Sequence, residues 1–136
     1  MSQSPPGAQA PLARLLPGRV GLFLRLQGRP GLRPALLDTL HSYVDRLREE
    51  PGTEAFLVGL DPEDADVVWL YEWFRDEDAL EEHRRAPAFS EMVLAMPGLL
   101  AAPAGLLRVD PLRLHLSADL VAGGAAAADP FAGEQQ

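Results

Sequence analysis

Between Tyr71 and Phe89 the chain reads YEWFRDEDALEEHRRAPAF. Two residues in it, Glu72 and His83, are of types that take up and release protons. Strand alternation would put Glu72 and Phe74 on one face with Val68 and Leu70, the face expected to meet helices. His83 follows Ala79 and Leu80 by about one helical turn and falls on the same apolar stripe. A carboxyl and an imidazole brought together on inward faces are equipped for acid–base work. The same placement suits a structural histidine bonded to Glu72 or to backbone, with Glu72 doing no more than holding the ring.

Most other chemistries lack their residues. There is no cysteine, hence no thiolate nucleophile, disulfide or thiolate metal site. All twelve basic residues are arginine, so Schiff-base chemistry on a lysine is excluded. The three histidines, His41, His83 and His115, form no H-x-x-x-H or H-x-H pair. The acidic runs DPEDAD and DEDALEE lack the glycine and spacing of a calcium loop. Neither a G-x-S-x-G elbow nor a glycine-rich phosphate loop is present. His41 lies off the main stripe of its helix and reads first as exposed, and His115 has no evident partner. Arg84 and Arg85 read as a solvated face, with a hold on a substrate carboxylate as the alternative.

The elements that must position Glu72 and His83 follow from apolar periodicity. VGLFLRL (20–26) alternates as a strand, with Val20, Leu22, Leu24 and Leu26 on one face. Leu36, Leu40, Tyr43, Val44 and Leu47 recur at helical spacing, Pro34 fits the first turn, and EEPG (49–52) closes the helix. TEAFLVGL (53–60) and VVWLYEWF (67–74) are strands separated by a turn, DPEDAD. DEDALEEHRR (76–85) opens a second helix with its acids near the N-terminus. Pro87 interrupts it, AFSEMVLAM (88–96) resumes it, and PGLLAAPAG (97–105) is a connector. LLRVDPLRLHL (106–116) reads as a last strand, bent or bulged at Pro111.

A length of 136 residues fits one folded domain, here 19–116. Residues 1–18, with four prolines and two glycines, and the low-complexity residues 117–136 are expected to be disordered tails. The order β-α-β-β-α-β predicts an α+β, ferredoxin-like antiparallel sheet with both helices on one face. The other face, bearing Trp69, Tyr71 and Trp73, would be bare. A second copy laid sheet to sheet is the simplest cover, so a homodimer is expected. A net charge of −8 without a basic stripe argues against nucleic acid, and no apolar run is long enough to span a membrane. The first residues lack the pattern of a secretory signal, and the chain reads as cytoplasmic.

EEPGTEAFLVGLD followed by VVWLYEWFRDEDALEEHRRAPAF resembles the antibiotic biosynthesis monooxygenase family. The matching positions are Glu50, Pro51, Gly52 and Thr53, then Tyr71, Glu72, Ala79, Leu80, His83, Pro87 and Phe89. The likeness spans about residues 20–112. The family's tryptophan two residues after the glutamate falls on Phe74, while Trp73 points to the opposite face. The resemblance implies a dimeric α+β barrel that oxygenates electron-rich aromatics or quinols without metal or flavin. Cofactors are thus expected to be none, and the partners to be a small aromatic substrate, O₂ and a second subunit.

Such chemistry needs a phenol turned into phenolate, a base or donor to hold the anion, and a dry aromatic pocket. On that footing His83 and Glu72 are the candidate catalytic pair. Phe74, Phe56, Phe89 and His41 are the candidate substrate-binding residues. Haem-degrading relatives carry a histidine shortly after the P-x-F element. Here that stretch is SEMVLAM, which argues against that branch and leaves only Met92 and Met96 as ligand types there. Two rival readings use the same fold. One is a non-catalytic binding or structural module, and the other is an isomerase or cyclase that uses the pocket without oxygen.

Overall fold

The computed structural model describes residues 10–124, which form two compact units: Pro17–Pro111, and a smaller one made of residues 10–16 with 112–124. The larger unit holds β2 (Val20–Gln27), α1 (Arg33–Val44), β3 (Thr53–Leu60), β4 (Val67–Phe74), α2 (Glu77–Arg85), α3 (Pro87–Leu99) and β5 (Gly105–Arg108), while β1 (Leu12–Leu15) precedes them. Its sheet order is β3-β4-β2-β5 with every neighbour antiparallel. Each helical crossover therefore skips one strand, which is the ferredoxin-like topology.

Strand alternation sets the layers. Val68, Leu70, Glu72 and Phe74 of β4 are buried, and Trp69, Tyr71 and Trp73 between them are half-buried. One core cluster joins Val20, Leu22 and Phe74 to Ala79 and Leu80 of α2, and another joins Leu26, Val68 and Leu70 to Leu36 and Leu40 of α1. The helices thus cover the Glu72 face. α2 starts where the Asp76 side chain accepts the Ala79 N–H at 2.8 Å, and its first turn carries Glu77 and Asp78. It stops because Pro87 forces the preceding residue out of helical space: Ala86 sits at φ −67°, ψ 135°. Pro87 then serves as the first residue of α3.

Three boundaries differ from the sequence reading. α1 ends at Val44, and the expected continuation tightens into a short 3₁₀ turn over Leu47–Glu49. α3 runs through Pro97 to Leu99, since a proline in the last exposed turn removes one hydrogen bond that water replaces. The strand expected over 106–116 is two strands. Beyond Arg108, Asp110 Oδ1 accepts the Gly21 N–H at 3.0 Å in place of a strand carbonyl, and Pro111 has no N–H to continue the ladder. Gly21 admits this crossing, because a Cβ there would lie 2.0 Å from the Val109 carbonyl oxygen.

In the smaller unit, β1 pairs antiparallel with β6 (Arg113–Leu116), and α4 (Ala118–Gly124) follows. β1 and α4 fall within the expected disordered tails, 1–18 and 117–136, and give parts of them regular structure. LARL between Pro11 and Pro17 is free of proline and finds its partner about 100 residues away, a pairing that composition does not reveal. The remainder of each expected tail, residues 1–9 and 125–136, lies outside the described residues. No helix among the described residues is long and apolar enough to cross a membrane.

Candidate active site

The site forms where α1, the turn before β3, β4 and α2 meet. α2 turns His83 inward one turn after Ala79, leaving it 3% exposed. The turn 50–53 comes close to α2 because Gly52 has no side chain: a Cβ there would stand 2.5 Å from the Ala79 Cβ. That approach delivers Glu50, 6% exposed, to the imidazole, where its Oε1 lies 2.8 Å from His83 Nδ1. Tyr43, the last buried residue of the α1 stripe, donates its hydroxyl to Glu50 Oε1 at 3.0 Å and lies 2.9 Å from His83 Nδ1. Thr53 Oγ1 donates to the same carboxylate oxygen at 3.0 Å. Glu50 Oε2 is buried and has no hydrogen-bond partner among the described residues.

Glu72 enters from the sheet. Its Oε1 is 3.8 Å from His83 Nε2, beyond hydrogen-bond distance. Burial, with a smaller push from the Glu50 charge, raises its carboxyl to about 8, so it is mostly protonated at neutral pH. Burial pushes His83 below its ordinary value despite the opposing hydrogen bond to Glu50, so the ring is neutral. Burial, then the Glu50 charge, drives the Tyr43 phenol far up and keeps it a proton donor in hydrogen bonds. The walls are aromatic: the Phe89 ring centroid is 4.1 Å from that of His83 and the Phe74 centroid 4.8 Å. A cleft of about 210 Å³ between Thr39, Ser42, Tyr43 and Arg46 on one side and Ala88, Glu91 and Met92 on the other reaches the cluster at Tyr43.

His83, Glu72, Phe74 and Phe89 are therefore brought together. Phe56 stands one step away, stacked edge-on against Tyr43 at 5.4 Å. His41 is two positions, about 200° of helix, from Tyr43 and so projects away from the cluster. The bond expected between His83 and Glu72 is replaced by the one to Glu50. Sequence reasoning missed Glu50, Tyr43 and Thr53 as polar members of the site. Tyr43 was visible as the one stripe position with a hydroxyl tip, whereas nothing in EEPG distinguishes a buried glutamate from an exposed one.

Residues 19–95, more than half of the chain, match the family described as antibiotic biosynthesis monooxygenase. The chain belongs to that family. Among solved structures it is similar to Rv0793 from Mycobacterium tuberculosis, at 28% identity and TM-score 0.62 over 69% of this chain and 95% of that one. It is likewise similar to NE2512 from Nitrosomonas europaea, a protein of unknown function, at 25% identity and TM-score 0.61 over 68% and 87%. PA3566 from Pseudomonas aeruginosa, at 24% identity and TM-score 0.64 over 71% and 97%, shares the fold. No curated protein matches the chain. Within the family match, the EPGT turn and the A-L-x-x-H helix are the two pieces that meet through Gly52 and Ala79.

Proposed function

We propose that this family member is a cofactor-independent monooxygenase acting on a phenolic, quinol or polyketide-like aromatic. The observation that carries the reading is an acid and a base side by side in an aromatic enclosure. His83 is neutral and able to accept a proton, and Glu72, 3.8 Å away, holds one. With an anthrone-like substrate, His83 takes the phenolic proton, and the electron-rich anion transfers electrons to O₂ and forms a carbon–oxygen bond. The peroxide anion takes that proton back from His83 to become a hydroperoxide. Neutral His83 then removes the remaining C–H proton as the O–O bond breaks, and the departing hydroxide takes the Glu72 proton, which the His83 imidazolium replaces. A CH₂ group has then become C=O and one oxygen has left as water, so the substrate supplies all four electrons.

The test is oxygen uptake by metal-stripped protein with hydroquinones and anthrone-like phenols. His83→Ala is expected to lower the rate about 10²–10⁴-fold while the far-UV spectrum stays native. A mutant that keeps the parental rate would remove His83 from the chemistry. One observation favours the non-catalytic module instead: His83, Glu72 and Tyr43 are at most 5% exposed, so a substrate reaches them only after side chains move. Absence of uptake by the wild type across the panel would favour that second reading.

The proposal includes a homodimer through the outer sheet face. Register places Leu57, Tyr71, Phe23 and Leu107 in one row across all four strands, and its two ends, Leu57 and Leu107, are 64% and 63% exposed. Beside that row Trp73 has a buried indole N–H with no partner among the described residues. An apolar row this exposed suits the core of an interface between copies. Sedimentation of the Leu57→Arg, Leu107→Arg double variant is expected to show half the parental mass, and an unaltered mass would refute this interface.

A further inference from the structure

We infer that Glu50, outside the acid–base pair proposed above, is the positioning residue that decides which nitrogen of His83 accepts a proton. The inference rests on the reading of His83 as a base, although its first observable needs no turnover. A carboxylate oxygen offers only lone pairs, and Glu50 Oε1 has three neighbours at hydrogen-bond distance: Tyr43 Oη at 3.0 Å, Thr53 Oγ1 at 3.0 Å and His83 Nδ1 at 2.8 Å. Each must bring a hydrogen. The single hydroxyl hydrogens of Tyr43 and Thr53 are both directed to Oε1. Nδ1 then faces lone pairs on Oε1 and on Tyr43 Oη, 2.9 Å away, so the ring hydrogen sits on Nδ1 and is shared between them.

The alternative has Tyr43 donating to a bare Nδ1. It would set the nitrogen lone pair against the carboxylate oxygen at 2.8 Å with no hydrogen between them. With Nδ1 protonated, the neutral ring carries its lone pair on Nε2, the nitrogen that looks toward Glu72. Tyr43, Glu50 and His83 are 2%, 6% and 3% exposed, so water does not compete for these positions. The close approach of Gly52 to Ala79 anchors the turn that carries Glu50 against the helix that carries His83.

The experiment is ¹⁵N NMR of histidine-labelled full-length protein at neutral pH, with the His83 signals identified by their loss in His83→Gln. The wild type is expected to show a protonated, pyrrole-type Nδ1 and an unprotonated, pyridine-type Nε2. In Glu50→Gln the carboxamide NH₂ can face Nδ1, and the ring proton is expected to move to Nε2. In turnover that variant should lose about 10²–10⁴-fold in kcat with little change in KM. A protonated Nε2 in the wild type, or an unmoved proton in Glu50→Gln, would overturn the inference. Should Glu50→Gln not fold, Tyr43→Phe takes its place: Glu50 remains, so the proton should stay on Nδ1, and its migration would assign the role to Tyr43 instead. The expected tautomers in a wild type that consumes no oxygen would leave Glu50's role standing and sink the monooxygenase reading alone.

Discussion

Glu72→Gln is expected to stabilise the fold, and to do so more strongly as pH rises. The folded chain holds the Glu72 proton up to about 8, against an ordinary value of 4.5. Between those limits the folded state binds a proton that the unfolded state has released, so parental stability falls as pH rises through the window. The gap corresponds to a loss of about 5 kcal/mol, complete above pH 8. Glutamine has the same shape and never ionises. Parent and variant should therefore have similar urea midpoints at pH 4 and differ by about 3 kcal/mol at pH 7.

His83 runs the other way. Its value is lowered in the fold, so below the ordinary 6.5 the unfolded chain takes up a proton first, and stability falls as pH drops. Glu72→Gln should keep that acid limb and lose the alkaline one. Equal stability of parent and variant at pH 7 would show that Glu72 is not held protonated. A carboxyl kept in place at such a penalty is a mark of a working site, and the variant should gain stability while losing the proton donor.

Phe74→Ala is expected to lose about 3–5 kcal/mol, measured by urea or thermal unfolding. Phe74 is 0% exposed, packs with Val20, Leu22, Ala79 and Leu80, and lies ring to ring with His83 at 4.8 Å. Truncation would open a void that this cluster, built on two strands and a helix, cannot close by local collapse. It would also release one wall of the imidazole, so the His83 ring should gain mobility on the NMR timescale. A loss below about 1 kcal/mol would mean that the core rearranges around the missing ring.

Much of this architecture is a periodic signal, and periodic signals are legible without coordinates. Alternation along VVWLYEWF separates Glu72 and Phe74 from Trp69, Tyr71 and Trp73, and burial follows that division. The helical stripe through Ala79, Leu80 and His83 likewise predicts all three as buried. Element order then selects the ferredoxin-like sheet, because split crossovers leave few other ways to cover one face.

What periodicity does not carry is the choice of partner for a buried polar group. Glu50 is 33 residues from His83, and Tyr43 is 40 residues away. Their meeting depends on how closely one turn approaches one helix, a distance set by the absent side chain of Gly52. The pairing of β1 with β6 is of the same kind, a contact between chain ends that short strands by themselves do not announce. Side-chain faces come from local backbone geometry and can be read from local sequence. Polar partnerships and the protonation states they impose arise from burial and three-dimensional proximity, which exist only once the chain has folded.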